Sequence, residues 1–534
     1  RGLVHRMNLK KIIYFLFFVF LNPVQGLPAS ENKAGYKENT VVIGRAADSM
    51  TLDPAKYHDA ESGKVIRNIF ECLVRFKAHE LEIEPGLAVL WNVLWDGKTW
   101  IFNLRKNVRF HDGSVFDAHA VVYNFKRQTD INHPMYRKDS TYAQLVFKYV
   151  KTIKAVDDIT VLIELTEPYA PFLASLTMPA TEIASPSSLK KWGDDFDKHP
   201  SGTGPFVFNR WEPDKRIVLD RNKNHWDKNQ DEKGVPDRIE FRVIPGPAQR
   251  FDDFRNGRIH VLDGIKPLDV KKIQQLPHGR LLFSSGLSMS YLAMNTEKKP
   301  FDRVKVRHAV NHAINKKKLV KYLYQELATP AKNPIPPVIW GYNSDIVDYE
   351  YDPSKALALL AEEGFDQGFD TTLFVMKSAR PYLAQPAEMA RIIRGNLEKV
   401  GIRASVKRYD WKTYLQKIKS GEHDMAILGW IGDSGDPDNF LYSLFDQDNT
   451  KKGTATNRTF YKNDVLHHLL VNAQQTLNRT TRAKYYKQAQ KIIHEEAPWV
   501  PIAHTRHVLA HHRDISGVII QPSGSILFHD VRMR

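Results

Sequence analysis

Cysteine is almost absent from this sequence, which has 534 residues and a single cysteine, Cys72. One cysteine excludes an intramolecular disulfide and a cysteine-rich zinc site. Cys72 lies in the apolar run IFECLV over 69–74. We therefore expect it to be a small buried residue and not a nucleophile.

Long hydrophobic runs are also scarce, and the one marked example lies near the amino terminus. Lys10 and Lys11 precede an unbroken apolar run over 12–21, and Pro23 follows it. This pattern is typical of a secretory signal peptide, and the run is too short for a permanent membrane-spanning helix. We predict a signal peptide over 1–26. Because no cysteine lies directly after the run, where a lipid would be attached, we expect no lipid anchor and a soluble mature protein in the periplasm.

Nucleic-acid-binding motifs and long Lys/Arg tracts are missing, although the formal net charge is +16. Acidic residues alternate with the basic ones along most of the chain, which indicates an evenly solvated basic surface. We therefore expect no nucleic-acid partner. Internal repeats, heptads and low-complexity tracts are absent as well.

The hydrophobic pattern alternates between strand-like and helix-like periods, which is typical of an α/β protein. Segments 40–44 and 98–105 are predicted as strands, and 118–125, 304–323 and 386–400 as helical regions. Asp117 precedes one of these helices as a candidate N-cap, and Gly401 follows another as a candidate helix end.

Seven short segments, in this order and at this spacing, resemble those of a known family. They are EPGLA over 84–88, WDGKT over 95–99, LRKNVRFHDG over 104–113, GTGPF over 202–206, VRHA over 306–309, IPP over 335–337 and GDSGDPDNF over 432–440. The chain resembles the peptide and nickel class (family 5) of periplasmic solute-binding proteins of ABC importers, and especially its dipeptide-binding members. The likeness extends from about residue 41 to the carboxyl terminus.

The resemblance implies an α/β fold of the periplasmic-binding-protein-like type II class, in which two lobes close over the ligand. It implies a discontinuous first lobe, a domain inserted into that lobe, and a second lobe. The expected bounds are 27–57, 207–285 and 504–534 for lobe I, 58–206 for the inserted domain and 286–503 for lobe II.

Two charged residues match the positions with which dipeptide-binding members hold the two ends of their ligand. Arg380, in SARPY over 378–382, matches the arginine that binds the carboxylate. Asp433 matches the aspartate that binds the ammonium group. The chemistry suits a short zwitterion, because a guanidinium binds a carboxylate through two hydrogen bonds and a carboxylate neutralises an ammonium.

Four further positions match residues that form the walls of the family's ligand site, namely Tyr382, Trp411, Gly429 and Trp430. Aromatic walls accept varied side chains, so the two charges would set ligand length while the walls tolerate different sequences. One position departs from the dipeptide-binding pattern. Ile431 stands where a threonine is expected, and it offers no hydroxyl group.

Several alternatives stay open at this point. GDSG over 432–435 resembles the nucleophile segment of trypsin-like proteases, but the upstream AAHC element and the disulfides of that family are absent, so no enzyme is predicted. His308 and His312 are four residues apart on a predicted helix, whereas His504 and His507 would point to opposite faces of a strand. Relatives in this class bind haem, nickel or glutathione. The departure at Ile431 also leaves open the alternative that the ligand is a longer peptide or an antimicrobial peptide.

The resemblance implies a transport role without catalysis, metal or cofactor. The ligand would be captured, enclosed by the lobes and delivered to an inner-membrane permease whose ATPases supply the energy. We expect a monomer. The sequence leaves open whether a chemoreceptor is a further partner.

Overall fold

The computed structural model of the chain describes residues 39–138, 140, 142–227 and 233–534. The predicted signal peptide over 1–26 lies outside the described residues. Residues 39–534 form one compact unit. Among the described residues, no helix is long and apolar enough to cross a membrane.

Strands and helices alternate along the chain. The strands are β1 Thr40–Arg45, β2 Val74–Phe76, β3 Ile83–Pro85, β4 Ala88–Val93, β5 Thr99–Leu104, β6 Val150–Asp157, β7 Thr160–Leu165, β8 Phe206–Glu212, β9 Arg216–Arg221, β10 Arg238–Val243, β11 Val261–Leu262, β12 Gly279–Ser285, β13 Ser288–Met294, β14 Ala328–Pro330, β15 Phe369–Met376, β16 Ile402–Tyr409, β17 Met425–Ile431, β18 Trp499–His512, β19 Ile515–Ser516, β20 Ile519–Ile520, β21 Ile526–Leu527 and β22 Arg532–Met533. The α-helices are α1 Ala60–Ile69, α2 Ala118–Thr129, α3 Ala143–Val146, α4 Phe172–Ser175, α5 Pro186–Trp192, α6 Pro247–Arg255, α7 Val270–Gln274, α8 Val304–Ala313, α9 Lys316–Tyr324, α10 Pro353–Glu362, α11 Pro386–Glu398, α12 Trp411–Lys419, α13 Asp438–Phe445, α14 Asp464–Gln475 and α15 Arg479–Glu496.

A large mixed sheet has the strand order β16-β15-β17-β13-β18-β11-β1-β10-β9-β8. Its long strand β18 changes partners along its length. The residues from Trp499 to Ala503 pair with β13, and those from Arg506 to His512 pair with β12. One continuous strand therefore joins the two halves of the sheet. The change of partner lies beside the predicted boundary at residue 503, but the lobe and domain bounds stay a prediction.

The region between α1 and β8 builds a separate antiparallel sheet in the order β4-β5-β7-β6. Its buried apolar side chains form their own cluster, which includes Trp100, Phe102 and Phe125. A buried ion pair also connects it to the first part of the chain. The Arg127 guanidinium donates two hydrogen bonds to the Asp53 carboxylate, of 2.6 and 3.0 Å, and both side chains are fully buried.

Most of the local predictions are confirmed. Segment 40–44 lies within β1, and segment 98–105 contains β5. The Asp117 carboxylate caps α2 by accepting from the backbone N–H of Ala120, and Cys72 is buried. The prediction of one helical region over 304–323 needs a correction, because two helices occupy it. Ile314 is extended, and the Asn315 side chain accepts from the backbone N–H of Lys318 and starts a new helix. An asparagine that caps a helix from within an apolar pattern is not visible in the periodicity.

Candidate functional site

All six predicted site residues lie at the carboxyl ends of three neighbouring parallel strands. Strand β15 pairs in parallel with both β16 and β17. Arg380 and Tyr382 follow β15, Trp411 begins the helix after β16, and Gly429, Trp430 and Asp433 lie at or just beyond the end of β17. Ligands of open α/β sheets bind outside this edge.

Arg380 is held in a tight turn, and no counter-ion for its charge lies among the described residues. Its backbone exchanges hydrogen bonds of 2.9 and 2.8 Å with Leu383. Its guanidinium carbon lies 3.7 Å from the centre of the Trp411 ring. The buried Nε has no hydrogen-bond partner, and within the described parts of the chain no carboxylate forms an ion pair with this arginine. A planar guanidinium stacked on an aromatic face keeps its N–H edge available for a carboxylate.

Asp433 is the corresponding negative group of the site. The Tyr142 hydroxyl donates to its Oδ1 at 3.4 Å, and no lysine or arginine of the described residues forms an ion pair with it. Burial raises the pKa of this carboxyl to about 7, although the Tyr142 hydroxyl works in the opposite direction. A desolvated carboxyl without a counter-charge favours binding of a cation.

The loop that carries Asp433 is supported by Asn439. The Asn439 Oδ1 accepts from the Trp430 indole N–H at 3.0 Å and from the backbone N–H of Asp433 at 3.4 Å. One amide therefore connects the wall residue to the charged residue and limits their relative movement.

A buried ion pair anchors the same loop to α15. Arg482 donates to both oxygens of Asp436, at 2.9 and 3.0 Å, and both side chains are nearly inaccessible to solvent. The nearby Asp436 carboxylate outweighs burial and raises the pKa of Arg482. A bidentate pair of this kind defines the position of the segment between β17 and α13.

We expect Arg482→Met to lower the free energy of unfolding by about 3–5 kcal/mol, because it leaves the buried Asp436 carboxylate unpaired. Denaturant unfolding followed by tryptophan fluorescence measures this loss. Arg403→Met is the matched control, since Arg403 pairs with Asp370 on the exposed surface and such pairs contribute about 0–1 kcal/mol. Equal losses in the two variants would contradict an anchoring role for Arg482.

Gly429 is required by close packing on both sides. A Cβ atom at this position would overlap the Met289 carbonyl oxygen of β13 and the ring of Tyr382. The Tyr382 ring thus lies directly on the backbone of β17, and its burial raises the pKa of its hydroxyl to about 12.

We expect Gly429→Ala to lower the melting temperature, because overpacking a buried site costs about 1–3 kcal/mol. Gly395→Ala in α11 is the matched control. Apart from its chain neighbours and the backbone of its own helix, no atom lies within 4 Å of the Cβ it would add. Alanine replaces glycine in a helix with a gain of about 0.5–1 kcal/mol. Differential scanning calorimetry should therefore give shifts of opposite sign. A melting temperature that is unchanged or raised in Gly429→Ala would contradict the close packing of this position against Met289 and Tyr382.

A cavity of about 420 Å³ lies between the separate antiparallel region and the β17–α14 part of the chain. Trp430 and Asp433 line it, whereas Arg380, Tyr382, Trp411 and Gly429 are not among its lining residues. The cavity therefore extends on the Asp433 side of the site. A second cavity, of about 360 Å³, contains Arg67, Glu71 and Glu182 and none of the six predicted residues.

Sequence reasoning missed the residues that close this cavity from the other side. Tyr142, Tyr149 and Tyr169 come from the region between α2 and α4 and face Asp433 and Asp438. Nothing in the spacing of these tyrosines distinguishes them from ordinary core aromatics. Asp438, in contrast, belongs to the GDSGDPDNF segment and could have been considered as a second acid.

The comparisons with known proteins agree with this geometry. Residues 82–452 match the sequence profile of the bacterial extracellular solute-binding proteins, family 5, middle region. The chain belongs to this family. Heme-binding protein A of Haemophilus influenzae is 37% identical over 512 residues, which are 92% of this chain and 92% of that protein. The dipeptide-binding protein of Escherichia coli is 36% identical over 480 residues, which are 87% and 88% of the two chains.

Solved structures show the same fold as this family 5 protein. HbpA2 from Haemophilus parasuis matches with a TM-score of 0.87 and 33% identity, and the match covers 93% of this chain and 100% of that one. DppA from Helicobacter pylori in complex with the peptide STSA matches with a TM-score of 0.75 and 35% identity over 92% and 98% of the two chains. The predicted α/β fold of the periplasmic-binding-protein-like type II class is confirmed.

The histidines considered for metal or haem binding in this family 5 protein are engaged elsewhere. The rings of His308 and His312 bond to the backbone carbonyls of Glu495 and Glu350. His504 is buried, and its pKa is lowered to about 4 by desolvation. Within the described ranges, one group could hold a metal ion by its geometry, namely Asp446, Asp448 and His467. The His467 ring already pairs with Asp446 at 3.0 Å.

Proposed function

We propose that this protein captures dipeptides in the periplasm and delivers them to an inner-membrane ABC permease. The observation that carries the proposal is the pair of Arg380 and Asp433. They lie at one sheet edge, and neither has an oppositely charged partner among the described residues. Both residues are partly buried, and charges withdrawn from water without a partner are costly, so a ligand that supplies both counter-charges gains from each.

Each end of a dipeptide would meet one of these groups. The ligand carboxylate would bind the guanidinium of Arg380, and its ammonium would bind Asp433. Tyr382, Trp411, Gly429 and Trp430 would form the walls. Similarity to proteins named dipeptide-binding supports this assignment. No acid–base or nucleophilic group takes part, so the function is binding without turnover.

Lobe closure would complete the site. The lobes would be 27–57, 207–285 and 504–534 against 286–503, with 58–206 inserted, and the partner change along β18 beside residue 503 suits a crossing between them. Closure excludes water and strengthens the electrostatic contacts of the ligand ends.

The identity of the natural ligand can be tested directly by mass spectrometry of small molecules released from protein purified under native conditions. We expect a mixture of dipeptides. Recovery of haem, together with a Soret band in the purified protein, would overturn the proposal. Heme-binding protein A and the dipeptide-binding protein of Escherichia coli are similarly identical to this chain, at 37% and 36%. Recovery of haem is therefore the outcome that would contradict the proposal most directly. Glutathione or longer peptides as the dominant species would also contradict a dipeptide site.

A further inference from the structure

A second buried acid lines the same cavity as Asp433. Asp438 begins α13, and its side chain is 5% exposed. The Tyr169 hydroxyl donates to its Oδ2 at 3.2 Å, whereas its Oδ1 is buried and has no hydrogen-bond partner. A buried carboxylate oxygen without a partner is costly unless a ligand satisfies it.

Among the described residues, no cation forms an ion pair with this group. Arg482, whose charge acts on Asp438, is engaged by Asp436, the Ala473 carbonyl and the Tyr486 hydroxyl. In the part of the chain that the structure describes, no lysine or arginine forms an ion pair with Asp438. Burial and the neighbouring Asp436 carboxylate raise the pKa of Asp438 to about 7, and Gln474, Arg482 and Tyr169 offset this rise only in part.

The walls around the two acids are aromatic. The rings of Tyr149 and Tyr169 lie 4.8 Å apart, and Tyr442 and Trp430 also face the cavity. Aromatic faces attract ammonium and guanidinium groups, and more strongly where water is excluded. The one basic side chain among the described lining residues, Lys148, is exposed and donates to the Tyr149 hydroxyl at 2.9 Å.

We propose that Asp438 binds a second cationic group of the ligand, the side-chain ammonium or guanidinium of a basic amino-terminal residue. This inference rests on the proposed function, because it takes Asp433 as the partner of the ligand's α-ammonium. Asp438 and Asp433 line one cavity, and Arg380 is not among its lining residues. The extra acid therefore selects the first residue of the dipeptide and not the second. The preferred ligands are dipeptides that begin with lysine, ornithine or arginine.

Calorimetry at pH 7.5 with four dipeptides tests this selection. Norleucyl-alanine has the same chain of carbon atoms as lysyl-alanine without the ammonium, and alanyl-lysine carries the cation at the other residue. We expect lysyl-alanine to bind about tenfold more tightly than norleucyl-alanine, since a charge-assisted hydrogen bond in a desolvated site is among the stronger ones. Alanyl-lysine should show no such gain over alanyl-norleucine.

The variant Asp438→Asn adds a second measurement. Within this variant, the ratio of the Kd values for lysyl-alanine and norleucyl-alanine should fall close to one, and a ratio cancels any general weakening of binding. Equal affinities for the two peptides in the unmodified protein would overturn the inference and leave the dipeptide function intact. A preference that persists in Asp438→Asn would also overturn it. Binding of none of these dipeptides would instead overturn the proposed function, and the inference with it.

Discussion

Arg380→Ala and Asp433→Asn are each expected to weaken dipeptide binding by more than about a hundredfold. Removal of one member of a buried charge pair costs about 3–5 kcal/mol, because the other charge is left desolvated and unpaired. In Arg380→Ala the unpaired group would be the ligand carboxylate, and in Asp433→Asn it would be the ligand ammonium. Isothermal titration calorimetry with alanyl-alanine measures both effects.

The surface pair Arg403–Asp370 offers matched controls for these two substitutions. Both side chains are largely exposed, and Arg403 donates to Asp370 at 2.6 Å. Arg403→Ala and Asp370→Asn should leave the Kd within about twofold, since exposed pairs contribute little. Blocked ligands provide the complementary test. N-acetyl and C-amide dipeptides should bind poorly to the unmodified protein, and equal binding of blocked and free peptides would exclude a clamp on the two ends.

Dipeptide affinity is expected to fall steeply in acid, by about tenfold for each pH unit below 7. The pKa of Asp433 is raised to about 7 by burial, so below this pH the carboxyl is protonated before the ligand arrives. The ligand ammonium binds the ionised carboxylate of Asp433, so binding below pH 7 must first release the proton from this carboxyl. The observed affinity therefore falls in proportion to the fraction of Asp433 that is ionised before binding. Between pH 7 and pH 5 the loss should reach about a hundredfold.

The tyrosine hydroxyls beside Asp433 do not titrate in this window, whereas Asp438, which lines the same cavity, does, because its pKa is also raised to about 7. Alanyl-alanine carries no side-chain cation for Asp438, so the expected proton release comes from Asp433. Burial and the Asp433 charge raise the pKa values of Tyr57 and Tyr142, which keeps both hydroxyls protonated. No histidine is among the described residues that line the cavity. Above about pH 8 the ligand's own ammonium is lost, so affinity should pass through a maximum near neutral pH.

Proton release provides an independent readout of the same prediction. Calorimetry at pH 6 in two buffers with different ionisation enthalpies should show close to one proton released for each alanyl-alanine bound, and much less at pH 8. A Kd that is constant from pH 5 to pH 7.5, with no proton released, would mean that Asp433 is already ionised in the unliganded protein. It would then not act as a desolvated ammonium site.

The fold class and the local elements could be predicted from the sequence because their signals are local. The alternation in 98–105 matches the alternating burial of β5, and Asp117 caps α2 through a bond to Ala120 three residues away. The break between α8 and α9 could not be predicted in this way. An asparagine in a continuous apolar pattern carries no sign of whether it caps a helix or lies within it.

The candidate site also combines features that the sequence determines with features that only the tertiary structure decides. The sequence by itself determined the family, the type II fold and the two charged residues proposed to hold the ligand. Short segments of the chain are enough for this, and Arg380 and Asp433 each lie in one of them. Only the tertiary structure decided what surrounds those charges. Tyr142 reaches Asp433 across 291 positions of the chain, and Asp438 has an unbonded oxygen because Arg482 is already engaged by Asp436. Such facts depend on packing between distant elements, which determines desolvation and therefore the pKa and binding chemistry of each acid.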